Sequence, residues 1–82
     1  MNDRITCDPT VLLGKPTIKG TRIAVELIMD RLADGWSVEQ IVSAYTNLQT
    51  EDVLASISFA AQMLREEQFI AVGKSLAADS KS

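Results

Sequence analysis

From Ala24 onward the apolar residues recur with a helical period, and before it they do not. Val25, Ile28, Met29 and Leu32 stand at i, i+3, i+4 and i+7, which places them on one face of a helix. Val38, Ile41, Val42 and Tyr45 repeat the spacing and predict a second, short helix. Between the two, Gly35 can take the left-handed conformation that closes a helix, with Trp36 placed to fold back on the preceding turn. Ser37 is the expected N-cap of the second helix. Gln40, three residues on, completes a capping box, and Trp36 and Ile41 occupy the two positions of a hydrophobic staple. Thr46 to Gln49 interrupts the pattern. Thr50 then caps a third helix, with Glu51 and Asp52 supplying the charge sign that a helix N-terminus favours. Val53, Ile57, Ala60, Ala61 and Leu64 carry its core-facing stripe, and the helix is expected to reach about Gln68.

Residues 1–23 read differently, with both prolines, two of the four glycines and no helical period. Ile5-Thr6 is a short extended candidate, Asp8-Pro9 opens a turn, and Gly14-Lys15-Pro16 breaks the chain again before Thr17-Ile18-Lys19. Gly20 marks a further bend before Thr21-Arg22-Ile23, so two or three short strands are expected. The fold class is mainly α, a short N-terminal β-ribbon followed by a three-helix bundle. The ribbon arm spans 1–23 and the helix-turn-helix bundle 24–68, with a short apolar segment and frayed tail over 69–82, all in one domain overall.

Composition narrows the function. A chain of 82 residues supports one hydrophobic core, and with aromatics at 5% that core is built from Leu, Ile, Val and Ala. There is no His, and Cys7 is the lone cysteine, which excludes a disulfide within the chain and a thiolate metal cluster in one copy. With no His to activate it, Cys7 is expected to be a small buried apolar residue. Adjacent Glu66 and Glu67 point about 100° apart on a helix and do not pair on a metal. No nucleophile with a base and no phosphate-cradling glycine loop is present, so the reading is no catalysis, no cofactor and no metal. The longest apolar run, Phe69 to Val72, is four residues, far short of a membrane span, and the reading is a cytoplasmic protein in a reducing compartment.

The net charge of -3 argues against a wholly basic nucleic-acid binder, but it is unevenly distributed. Arg4, Lys15, Lys19 and Arg22 outweigh Asp3 and Asp8 in residues 1–22, giving +2, while the remainder carries -5. A short helix, a turn and a longer capped helix form a helix-turn-helix pattern, whose last helix would begin at Gln49 and Thr50. Glu51 and Asp52 at that point oppose a polyanion, so any DNA contact falls mainly to the ribbon. Arg22 follows a tight Gly20-Thr21 turn, and its two readings are a phosphate contact or an ion pair with Glu26 at i+4. The candidate DNA-binding residues are Arg4, Lys15, Lys19, Arg22, Gln49 and Thr50. Solvated surface cations are the plain alternative.

Ile5-Thr6-Cys7-Asp8-Pro9, Gly14 to Val25 with its Gly-Lys-Pro and Gly-Thr-Arg elements, Gly35 to Ile41, then Tyr45, Leu48 and Thr50 to Val53 resemble the signature of domain-of-unknown-function family 433. The resemblance covers roughly residues 4 to 65. It implies a ribbon followed by a homeodomain-like three-helix bundle. It also implies a place among VapB-like antitoxins, which are expected to neutralise a PIN-like ribonuclease toxin and to bind their own operator DNA. Two positions depart from the family pattern: Leu13 stands where a second glycine often precedes Gly-Lys-Pro, and Thr46 where a proline often follows the tyrosine.

The expected function is therefore a DNA-binding antitoxin and autoregulator that acts as a homodimer, and the alternative is a protein-interaction module that never reads DNA. Phe69, Ile70 and Val72 are the candidate partner or dimer contacts, since an apolar stretch after a charged helix end can pack on a second chain. The unpaired edge of the ribbon is a second place where two copies could meet.

Overall fold

The computed structural model describes residues 3–66. Strand β1, Ile5–Thr6, pairs antiparallel with β2, Thr17–Ile18, in the register Ile5 to Ile18 and Thr6 to Thr17. Three helices follow: α1, Val25–Ala33; α2, Val38–Ala44; and α3, Thr50–Glu66. The third expected strand reduces to a single bridge between Thr17 and Ala24. No helix among the described residues is long and apolar enough to cross a membrane.

The helix boundaries form for the local reasons expected of them. Gly35, at φ +95, lets the Trp36 N–H reach Arg31 O at 3.0 Å while its own N–H reaches Leu32 O at 3.0 Å, which is the Schellman closure of α1. Ser37 Oγ accepts from the Gln40 N–H at 3.1 Å and Gln40 Oε1 from the Ser37 N–H at 2.7 Å, a complete capping box. The cap of α3 differs from expectation. Thr50 is its first helical residue, and Asp52 reaches back to accept from the Gln49 N–H at 2.8 Å. The third residue of the helix thus holds the N–H of Gln49, the residue before the helix, which is the reverse half of a capping box, and Thr50 lies inside the helix instead of capping it.

Ile18 of the ribbon, Ile28 of α1, Ile41 of α2, Leu48 of the turn and Val53 of α3 form the buried centre. Ile5, Ile23, Met29, Leu32, Trp36, Val38, Val42 and Tyr45 pack around it, so the faces expected of α1 and α2 are the faces that are buried. The stripe expected of α3 is not. Val53 is buried, but Ile57 is 40% and Leu64 60% exposed, while Asp52, Ala55 and Ser56 are buried instead. Small side chains at 55 and 56 let the helix approach the bundle closely. Ser56 donates to Asp52 O at 2.9 Å, which satisfies its hydroxyl inside the core. The buried arc is therefore turned away from the large apolar residues, and Leu54, 53% exposed, joins Ile57 and Leu64 on the outside.

Cys7 is also corrected, since it is exposed in the loop after β1. With only two residues per strand, the ribbon contributes Ile5 and Ile18 to the core and leaves the intervening loop on the surface.

Candidate nucleic-acid and partner surfaces

The ribbon and the start of α3 are joined by a chain of polar contacts. The Lys19 N–H donates to Arg4 O at 2.8 Å, the Arg4 guanidinium meets Asp52 Oδ1 at 2.8 Å, and Asp52 Oδ2 holds the Gln49 N–H. These contacts tie the backbone of Lys19 and Gln49 and the side chain of Arg4, all expected DNA-contact residues, to Asp52 and to one another; Thr50 follows Gln49 as the first residue of α3. Asp52 was expected to oppose DNA. Its side chain is 8% exposed and faces Arg4, so that charge is turned inward and offset, while Glu51 remains exposed. Spacing alone carried the signal for this arrangement, because Asp52 stands three residues after Gln49, as a capping-box partner must.

Lys15 lies elsewhere. Its ammonium meets Glu26 Oε2 at 3.1 Å, which ties the loop to the first turn of α1, so that Glu26 pairs with Lys15 and not with Arg22, for which an ion pair is one of the two readings. Both side chains are more than half exposed, so the pair adds little stability. Arg22 and Lys19 flank a turn in which the Thr21 N–H donates to Ile18 O at 2.9 Å and Gly20 has φ +82, the value a type II turn requires at its third position. Thr21 Oγ1 donates to Ile18 O at 2.8 Å and accepts from the Ile23 N–H at 3.0 Å, which stiffens the turn. Among the described residues Lys19 and Arg22 make no ion pair. Phe69, Ile70 and Val72 lie outside the described residues.

Two features were not anticipated. Leu12, Leu13 and Gly14 all have positive φ, at 48, 57 and 84, and Leu13 is 95% exposed. The turn is closed by the Gly14 N–H to Val11 O at 3.0 Å and the Lys15 N–H to Leu12 O at 3.1 Å. Where the family pattern often has glycine, Leu13 adopts the glycine conformation, at a cost of about 1 kcal/mol. An apolar side chain held in a disfavoured conformation on the surface contributes nothing to the core. Beside it, Leu12, Ala24 and Leu27 line a shallow cleft rimmed by Lys15, Glu26 and Asp30.

Arg31 is the second feature. Its guanidinium lies 5.3 Å from the Trp36 ring centroid, its Nε donates to the Tyr45 hydroxyl at 3.2 Å, and Asp34 lies 3.7 Å away. The Tyr45 contact, with the nearby aspartates, pushes the Arg31 pKa further up. This cation joins the end of α1 to the end of α2, and so belongs to the fold. Asp8, in the ribbon loop, is held below the usual carboxylate range by the Thr10 N–H, at 2.9 Å, and by the Thr10 hydroxyl, at 2.7 Å.

Comparison with known proteins agrees with the resemblance read from the residues. The family model described as "Protein of unknown function (DUF433)" matches residues 5–60. An uncharacterized protein from Sinorhizobium fredii, y4eO, is 39% identical over 62 residues, 74% of this chain. The chain spans 28% of that relative's length. No solved structure gives a significant match. The ribbon, the capped three-helix body and the span of the family match lead to one assignment: the chain belongs to the DUF433 family.

Proposed function

We propose that this chain is the antitoxin half of a VapBC-like toxin–antitoxin pair, a non-catalytic, cytoplasmic protein. It neutralises a PIN-like ribonuclease by direct contact and touches its own operator through the ribbon. The observation that carries the DNA role is the division among the cations. Among the described residues Arg4, Lys15 and Arg31 each face a carboxylate, whereas Lys19 and Arg22 on the stiffened turn, and Arg65 at the far end of α3, have no ion pair. A rigid turn with two uncompensated cations can meet two phosphates at small entropic cost. Gln49 and Thr50, at the start of the helix that Asp52 ties to Arg4 of the ribbon, would add neutral hydrogen-bonding groups to that surface.

Fluorescence titration against the DNA upstream of the protein's own gene, over a range of salt, tests this role. The log of the affinity should fall with the log of salt, and Lys19→Ala and Arg22→Ala should each reduce that slope by about 1 per protomer. Binding independent of salt and of both side chains would remove the ribbon from the DNA role.

A protein-interaction module without DNA binding is the second reading, favoured by the exposed Glu51 at the start of α3 and by the Leu12–Leu13 turn. A neighbouring reading frame for a ribonuclease, and its co-purification with this chain in the absence of DNA, supports the partner role under either reading.

A further inference from the structure

The exposed side of α3 has an order that the bundle does not use. Leu54, Ile57, Ala61 and Leu64 follow one another at steps of three, four and three residues, the spacing of a coiled-coil seam. Leu54, Ile57 and Leu64 are 53%, 40% and 60% exposed, and Ala61 is half-buried. The stripe lies on the side of the helix beyond Val53 and Ala60, where it meets no other element of the described fold strongly enough to be buried. Along its other flank run Glu51, Ser58 and Arg65, one helical repeat of seven residues apart.

We infer that a second copy of this chain covers this stripe, with its α3 packed antiparallel about a two-fold axis. Charge decides the occupant and the direction. When Leu54 sits against the partner subunit's Leu64, and Ile57 against the partner subunit's Ala61, the flanking residues come into register. Glu51 of each copy then faces the partner subunit's Arg65, and the two Ser58 side chains meet beside the axis. Each end of the seam gains an opposite-charge pair, and the apolar layers match large to large at the ends and large to small at the centre. A parallel pairing brings no opposite charges together, because the residues on the core side of the seam are Val53 and Ala60. Glu51 also borders an open cleft lined by Asp3, Arg4, Leu54, Ser58 and Gln62, in which the Arg4 guanidinium already faces Asp52. Glu51 and Arg65 are about 21 Å apart along one helix at 1.5 Å per residue, so they do not pair within one chain.

The seam is only about two heptads long, so the dimer is expected to be weak, with a Kd on the order of 10 µM. The α3 seam does not rest on the antitoxin reading, and no DNA or toxin enters its test. Sedimentation equilibrium of the full chain from about 1 to about 500 µM should show monomer passing to dimer across this range. Glu51→Arg and Arg65→Glu should each weaken the dimer about tenfold, since each places two like-charge pairs across the axis. An equimolar mixture of the two variants should restore association, because every flanking pair is again opposite in sign. Circular dichroism of each variant checks the fold, and Arg65→Glu, at the far end of the helix, spares the α3 N-terminus.

Other occupants give other results. A chain that stays monomeric throughout the range, with its own residues 67–82 or a foreign protein on the stripe, overturns the inference. So does a dimer built on the ribbon edge, which neither substitution would weaken and the mixture would not strengthen.

Discussion

Arg4 Nη1 lies 2.8 Å from Oδ1 of Asp52, and the other oxygen of the same carboxylate caps α3. One side chain therefore fixes the ribbon on the bundle and starts the last helix. The Arg4 side chain is 43% exposed, which screens the pair from the solvent side. Asp52→Ala removes both contacts and should cost about 2 kcal/mol in urea unfolding, combining a lost cap with a lost charge-assisted bond. Asp52→Asn keeps an acceptor for the Gln49 N–H and should cost less. Arg4→Ala should cost about 1 kcal/mol, and in a double-mutant cycle with Asp52→Ala it should not be additive.

The left-handed turn makes an opposite prediction. Leu13→Gly should stabilise the chain by up to about 1 kcal/mol, because φ 57 is free of penalty for glycine and the lost side chain is 95% exposed. If Leu13 contacts a partner, the same variant should bind that partner more weakly while unfolding at a higher temperature. A destabilised Leu13→Gly variant would show that the side chain packs in a way its exposure contradicts.

Gly35→Ala should destabilise by about 1 kcal/mol. A Cβ at this position meets nothing within 4 Å, so the whole effect comes from φ +95. Ser37→Ala, two residues on, should cost a similar amount, about 1 kcal/mol, by opening the capping box. Thermal melts of the two variants measure both effects.

Asp8 supplies a pH-dependent term. Its folded pKa is lowered, so the stability it adds is present above the ordinary carboxylate value of 3.8 and is lost as pH falls through the lower folded value. Carboxyl carbon chemical shifts should show Asp8 titrating below a normal aspartate. Thr10→Ala should return the midpoint only part of the way, because the Thr10 backbone N–H is the larger cause and survives the substitution.

Much of the fold is legible along the chain because its signals are local. Gly35 closes α1, Ser37 and Gln40 open α2, and Val25, Ile28 and Ile41 fall on the buried faces, all from spacings of seven residues or fewer. The pairing of Ile5-Thr6 with Thr17-Ile18 is similarly visible as two short extended runs around a turn-rich loop. α3 differs from the stripe its spacing predicts because its periodicity fits two faces. Ile57 and Leu64 share a stripe with Ala60 and Ala61, and the hydrophobic period does not say which edge of that stripe meets the bundle.

For the candidate surfaces, the sequence by itself determined the division of charge, the Gly-Thr-Arg turn and the family to which the chain belongs. Only the tertiary structure decided which cations remain uncompensated. Arg4 finds Asp52 across 48 positions and Lys15 finds Glu26 across 11, while Lys19 and Arg22 stay on the turn with no ion pair among the described residues. The reason is physical: helix caps and turns are set by neighbours a few bonds away. The partner of a charge and the exposed face of a helix depend on how elements distant in sequence pack, and here small Ala55 and Ser56 turn α3 inward on an edge that its larger residues do not share.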